Sequence, residues 1–91
     1  MKIIQIKIAD RARKYGYVFW TKELDSEVKS FFGDRATVEV DFEGAALGKK
    51  NIDWKNRRIS IGWRWTRRLL RSKKVFRMTF DGRSSVRIEC Q

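Results

Sequence analysis

The side chains best suited to chemistry are arginines and lysines interleaved with tryptophans in the second half of this 91-residue chain. A guanidinium group presents a planar fork that matches phosphate oxygens, and an indole face can stack on an unpaired base. We therefore expect this stretch to bind a polyanion, with nucleic acid as the first candidate. The expected phosphate contacts, named here the C-terminal basic group, are Arg57, Arg58, Arg64, Arg67, Arg68, Arg71, Lys73 and Lys74.

The distribution of charge supports the same expectation. The formal net charge is +11. Residues 1–46 contain eight basic and eight acidic residues, which cancel, whereas residues 47–91 contain fourteen basic and three acidic residues. A field this asymmetric attracts phosphates or other polyanions. The stretch has no RNP, KH or zinc-finger pattern, so its residues do not decide between DNA and RNA.

Three other functions fit parts of the sequence. The basic surface could bind an acidic partner protein instead of nucleic acid. Asp41, together with Asp53 and Lys55, resembles the acidic-x-lysine arrangement of metal-dependent nucleases, in which two carboxylates hold Mg²⁺. Residues 63–74 could form a basic helix at a membrane surface, although packing against a sheet explains their apolar side chains more simply.

The tryptophans have a structural interpretation as well as a functional one. A chain of 91 residues has a small core and cannot leave many large aromatic side chains exposed. We expect at least two of Trp54, Trp63 and Trp65 to belong to the core.

The missing residue types limit the chemistry. The chain has no histidine and one cysteine, so it cannot supply a Ser-His-Asp or Cys-His device and lacks the usual zinc ligands. We expect no enzymatic activity, no metal and no cofactor. Cys90 is expected to close the last strand as a small apolar residue. With no disulfide partner and no signal-peptide pattern after Lys2, a cytoplasmic location is expected.

Alternating apolar and polar residues predict the strands of the sheet. Strands are expected over residues 2–8, 17–20 and 36–43, the last with Ala36 facing inward. Residues 44–51 are expected to form a loop. In the second half, strands are expected at 52–54, 58–61, 76–80 and 86–90, with turns at 55–57 and at Asp81-Gly82; a single strand over 52–61 is the alternative.

One helix is clearly predicted, over residues 22–32. Its apolar residues fall on a single stripe, Thr21 is a suitable N-cap, and Gly33 can end the helix in the left-handed conformation. A second, short helix is expected over residues 65–71. The predicted fold is α+β, with mostly antiparallel strands in a small barrel or curled sheet, and residues 1–91 are expected to form a single domain. Dimerisation would enlarge so small a core.

The order of motifs over residues 4–43 resembles the AbrB-like swapped-hairpin family of transcription factors and antitoxins. The residues that carry the resemblance are Gly16-Tyr-Val18-Phe-Trp-Thr21-Lys-Glu-Leu24, Val28, Gly33-Asp34 and Val38-Glu-Val40. The resemblance implies a homodimer that binds DNA through a basic loop region and regulates transcription. It places three cations where that loop would begin: Arg11, Arg13 and Lys14, named here the N-terminal basic group.

Overall fold

The computed structural model describes residues 2–67, 72–82 and 84–91. Its strands are β1 (Lys2–Lys7), β2 (Tyr17–Phe19), β3 (Thr37–Phe42), β4 (Ala45–Asp53), β5 (Arg58–Ser60), β6 (Val75–Phe80) and β7 (Ser85–Cys90). Its helices are α1 (Asp10–Tyr15), α2 (Asp25–Phe32), which follows a 3-10 turn at Lys22–Leu24, and α3 (Trp63–Thr66).

The strands form a seven-stranded sheet in the order β1-β6-β7-β3-β4-β5-β2, which nearly closes into a barrel. Neighbouring strands are antiparallel except β3 and β7, which pair in parallel. β1 and β2 are the two edges of the sheet, and α1 is the segment that connects them. The predicted α+β fold with a small barrel is therefore confirmed.

The core lies inside this curled sheet because β1, β3, β6 and β7 alternate largely as the sequence predicts. Ile4 and Ile6 of β1 point inward, as do Phe76, Met78 and Phe80 of the paired β6. Burying side chains of this size contributes about 1.5–3 kcal/mol each. The predicted hairpins at residues 55–57 and at Asp81-Gly82 are both confirmed by the pairing of β4 with β5 and of β6 with β7.

Helix α2 covers the barrel with the predicted apolar stripe. Val28 and Phe32 are buried, and the Phe31 ring stacks on Phe80 with ring centroids 4.8 Å apart. The helix over 22–32 is confirmed, although its first three residues form the 3-10 turn. Thr21 occupies the predicted N-cap position, but the expected capping hydrogen bond is wrong, because its side chain makes no bond to a backbone amide. Instead its hydroxyl bonds to the carboxylate of Glu23, whose pKa is lowered first by a backbone hydrogen bond and then by this one.

The expected loop over residues 44–51 is wrong, since these residues belong mostly to β4. A two-residue turn joins β3 to β4, with φ of 52° at Glu43 and 84° at Gly44, the positive values that a type I′ hairpin turn requires. The register slips between Val40 and Asp41, so that Leu47 is the extra residue of a β-bulge. Without β-branched residues, the start of β4 does not show its strand character in the sequence.

Three further expectations need correction. Residues 10–15, where the resemblance placed the start of a basic loop, form helix α1. Ala36 is exposed, and β3 begins one residue later. The second expected helix is α3, which begins at Trp63; residues 68–71 of the expected helix lie outside the described residues. Within the described ranges no helix combines the length and apolarity needed to span a bilayer.

Candidate nucleic-acid interface

Helices α1 and α3 meet through a junction of bare backbone. A Cβ atom added to Gly16 would lie 2.3 Å from the backbone nitrogen of Trp63 and 2.5 Å from the carbonyl carbon of Gly62. The Gly16 carbonyl oxygen accepts hydrogen bonds from the amides of Ile61 (2.8 Å) and Gly62 (2.9 Å). Only a residue without a side chain permits this approach, so Gly16 places the end of α1 directly against the start of α3.

Two further hydrogen bonds hold a third segment at the same end of the molecule. Arg13 Nη2 donates to the carbonyl oxygen of Lys73 (2.8 Å), and the amide of Ile8 donates to the carbonyl of Lys74 (2.8 Å). The hydroxyl of Thr66, which is fully buried, donates to the carbonyl oxygen of Arg13 (3.2 Å). Residues far apart in the chain are thus fixed beside one another.

We name the surface formed by α1, α3 with the adjoining Arg67, and residues 73–74 the basic end. It carries the N-terminal basic group and four members of the C-terminal basic group, which the sequence separates by about fifty residues. Its cations are Arg11, Arg13, Lys14, Arg64, Arg67, Lys73 and Lys74. Arg13 is only partly exposed: it pairs with Asp10 (2.9 Å) and donates to the carbonyl oxygen of Lys73.

The outer side of β2 and β5 extends this surface with stacked cations and aromatic rings. The Arg58 guanidinium lies over the Tyr17 ring at 4.0 Å from its centroid, and Arg11 lies over Phe19 at 4.6 Å. Tyr17 and Phe19 meet edge to face with centroids 5.7 Å apart. Arg58 also pairs with Asp53 at 3.1 Å. Cation–π contacts of this kind hold a guanidinium in place while its edge can still donate to a ligand.

Two aromatic side chains of the basic end are exposed to solvent. Tyr15 is 57% exposed and Trp63 is 55% exposed. Each has a cation near its ring: Lys14 Nζ lies 5.4 Å from the Tyr15 centroid, and Arg67 Cζ lies 5.0 Å from that of Trp63. Sequence reasoning named Trp63 but missed Tyr15, Tyr17 and Phe19. The signal that could have found them is their position directly beside the N-terminal basic group.

The remaining predicted contacts lie elsewhere or are not described. Arg57 is in the turn between β4 and β5, where its carbonyl accepts from the Trp20 amide and its charge lies close enough to Glu23 to help lower the pKa of that carboxyl. It is thus set apart from the basic end. Arg68 and Arg71 lie outside the described residues.

The acidic residues of β3 do not lie among the cations of the basic end. They occupy the outer face of the sheet, where Glu39 is opposite Lys49 and Asp41 is opposite Arg87 in the neighbouring strands. Arg77, a cation of the aromatic-rich stretch, is likewise opposite Glu89. Opposite charges facing each other across strands stabilise a sheet. This face therefore carries mixed charge, in contrast to the basic end.

The tryptophans divide between core and surface. Trp54 and Trp65 are partly buried and pack against the core, as expected for at least two of the three, whereas Trp63 is exposed. Trp54 Nε1 donates to the carbonyl of Arg35 (2.8 Å), and its ring lies edge to face on the buried Trp20. The Trp54 side chain therefore stabilises the fold, whereas the exposed Trp63 side chain is available to a ligand.

The two carboxylates considered for a metal site lie far apart. Asp41 is opposite Ala46 near the start of β4, whereas Asp53 is the last residue of that strand. Seven residues of extended strand span about 20 Å, so these side chains cannot hold one ion. Among the residues that the structure describes, no cluster of three metal-ligating side chains is present.

Besides Glu23, two other described titratable groups show clear pKa shifts. Hydrogen bonds from the side chain and backbone amide of Asn56 (2.9 and 3.1 Å), assisted by Arg58, lower the pKa of the Asp53 carboxyl. Burial raises the pKa of the Cys90 thiol, and the nearby Glu43 carboxylate raises it further. Cys90 therefore stays protonated at neutral pH and fills space at the end of β7, as expected.

Comparisons with family models, with curated proteins and with solved structures gave no match to this chain. The resemblance to the AbrB-like family therefore stays a prediction.

Proposed function

We propose that the protein is a non-enzymatic nucleic-acid-binding module that contacts phosphates with its basic end. The observation that carries the proposal is the junction of α1 with α3, which sets two separate basic groups side by side. The basic end and Arg58 together carry eight cations, and three acids lie beside them: Asp10, Asp53, and Glu43, whose carboxylate and Lys73 both lie near Cys90. A surface that served solubility alone would mix the two signs more evenly, as the outer face of the sheet does.

The resemblance to AbrB-like proteins favours DNA over RNA and suggests a homodimeric regulator of transcription or an antitoxin. We propose a cytoplasmic location, which suits a protein with a free, buried cysteine. Sedimentation equilibrium tests the dimer separately from binding: a monomer at micromolar concentration would count against the family resemblance and leave the basic end intact as a proposal.

Salt dependence provides the first test of binding. If six or more cations meet phosphates, affinity for a duplex should fall on the order of a thousandfold between about 50 and 200 mM salt. Fluorescence anisotropy with labelled duplex DNA, single-stranded DNA and RNA of equal length measures this slope. Failure to bind any of the three at low salt would contradict the proposal and favour the acidic partner protein.

Two triple variants test whether binding depends on the position of the cations or only on the total charge of the protein. The first, Lys14→Gln/Arg64→Gln/Arg67→Gln, removes three cations from the basic end. The control, Lys49→Gln/Arg77→Gln/Arg87→Gln, removes three cations that lie opposite acids on the sheet. Both variants lower the net charge equally.

The first variant should lose most of the affinity and reduce the salt slope by up to about 0.9 for each lost phosphate contact on duplex DNA. The control should bind nearly as the parent protein does. Equal losses in the two variants would show that overall charge, rather than the basic end, attracts the polymer. Circular dichroism spectra and melting curves establish that both variants are folded.

A further inference from the structure

The basic end contains a feature that phosphate binding does not explain, namely the exposure of both Tyr15 and Trp63. Each leaves more than half of its surface in water, at 57% and 55%. In a chain whose other aromatic side chains pack against one another or the core, two such residues at one place mark a contact surface.

The two residues are attached to touching segments of backbone. Tyr15 directly precedes Gly16, whose added Cβ would lie 2.3 Å from the nitrogen of Trp63. With standard bond lengths, the Cα atoms of Tyr15 and Trp63 are therefore at most about 9 Å apart. The cations Lys14 and Arg67 lie over one face of the Tyr15 and Trp63 rings, 5.4 and 5.0 Å from the centroids, so a base would stack on the opposite face. Each ring thus has a cation beside it. The ring suits the base of a nucleotide, and the cation suits its phosphate.

We infer that the basic end binds single-stranded nucleic acid, with unpaired bases stacking on Tyr15 and Trp63 and the flanking phosphates held by Lys14 and Arg67. This inference rests on the proposed function and specifies its ligand. In a duplex the base faces are already stacked on one another and cannot reach an aromatic side chain. Cations alone serve both forms of the polymer, whereas exposed rings add affinity only for a strand whose bases are free.

The test compares Tyr15→Ala and Trp63→Ala with the parent protein on a mixed-sequence single strand and on the matched duplex at the same salt concentration. Ile3→Ala is the control, because Ile3 is also an exposed apolar residue, at 44%, but lies on β1 opposite Thr79. Trp63→Phe preserves a stacking ring at the same position and guards against a loss of folding in the alanine variant.

Each aromatic-to-alanine variant should weaken single-strand binding by about 5- to 100-fold, and duplex binding should change less than twofold. Trp63→Phe should retain most of the affinity, while Ile3→Ala should behave as the parent. The parent protein should also show quenching of tryptophan fluorescence on the single strand, reduced in Trp63→Phe.

Equal losses on the single strand and the duplex, or no loss on either, would overturn the stacking inference. The proposed function would survive that result if the triple variant at the basic end still lost affinity for the duplex. Absence of binding by the parent protein to every nucleic acid would overturn both.

Discussion

Replacing Gly16 with alanine tests the junction on which the basic end depends. The new Cβ would lie 2.3 Å from the nitrogen of Trp63 and 2.5 and 2.9 Å from the carbonyl carbon and Cα of Gly62. All three are backbone atoms, and the amide of Gly62 is hydrogen-bonded to Gly16 itself. They cannot move aside as the end of a flexible side chain would, so α1 and α3 must separate.

Two contributions set the size of the effect. Gly16 has φ of 79°, in the left-handed region, which costs a residue with a side chain about 1–2 kcal/mol. Forcing extra atoms into a close-packed contact costs a further 1–3 kcal/mol or so. The free energy of unfolding should therefore fall by about 2–5 kcal/mol. At roughly 4–8 °C per kcal/mol for a chain of this size, the melting temperature should fall by at least about 8 °C.

Gly48→Ala is the matched control for the conformational contribution. Gly48 has φ of 78°, but no atom lies within 4 Å of its added Cβ. This variant should lose only about 1–2 kcal/mol. Urea unfolding followed by circular dichroism gives both values, and their difference isolates the clash. If Gly16→Ala cost no more than Gly48→Ala, the close approach of α1 and α3 would be refuted.

Three other substitutions probe single contacts. Thr66→Val should lower the free energy of unfolding by about 1–3 kcal/mol, because it removes the buried hydroxyl that donates to the Arg13 carbonyl. As a control in the same urea titration, Thr37→Val at an exposed position should change the free energy of unfolding by less than about 0.5 kcal/mol. Asp53 has a lowered pKa in the folded state, so its contribution to stability is present above its unfolded pKa, near 4, and is lost as the pH falls through the folded value. Melting temperatures measured between about pH 5 and pH 2 should therefore fall less steeply for Asp53→Asn than for the parent, and identical slopes would contradict this reasoning. The buried Cys90 thiol should resist iodoacetamide in native protein at about pH 8 and react in urea, whereas rapid native alkylation would show that the end of β7 is open.

The agreement between sequence and structure is closest where local patterns determine the outcome. Alternation over β1, β3, β6 and β7 predicted which side chains face inward, because neighbouring residues of a strand point to opposite faces. Asp81-Gly82 predicted the hairpin between β6 and β7 for a similarly local reason. The start of β4 was missed, since pairing with β3 rather than its own residues makes it a strand.

The sequence by itself determined that the chain is strongly basic and that this charge comes from its second half. It could not determine which cations share a surface, because that depends on contacts between distant segments. Only the tertiary structure placed Arg77 opposite Glu89, so that Arg77 belongs to a face of mixed charge. It also brought Arg13 to Lys73, so that Arg13 belongs to the basic end. The basic end depends on the backbone contact at Gly16. This contact requires a residue without a side chain at position 16, and it requires the barrel to align α1 with α3.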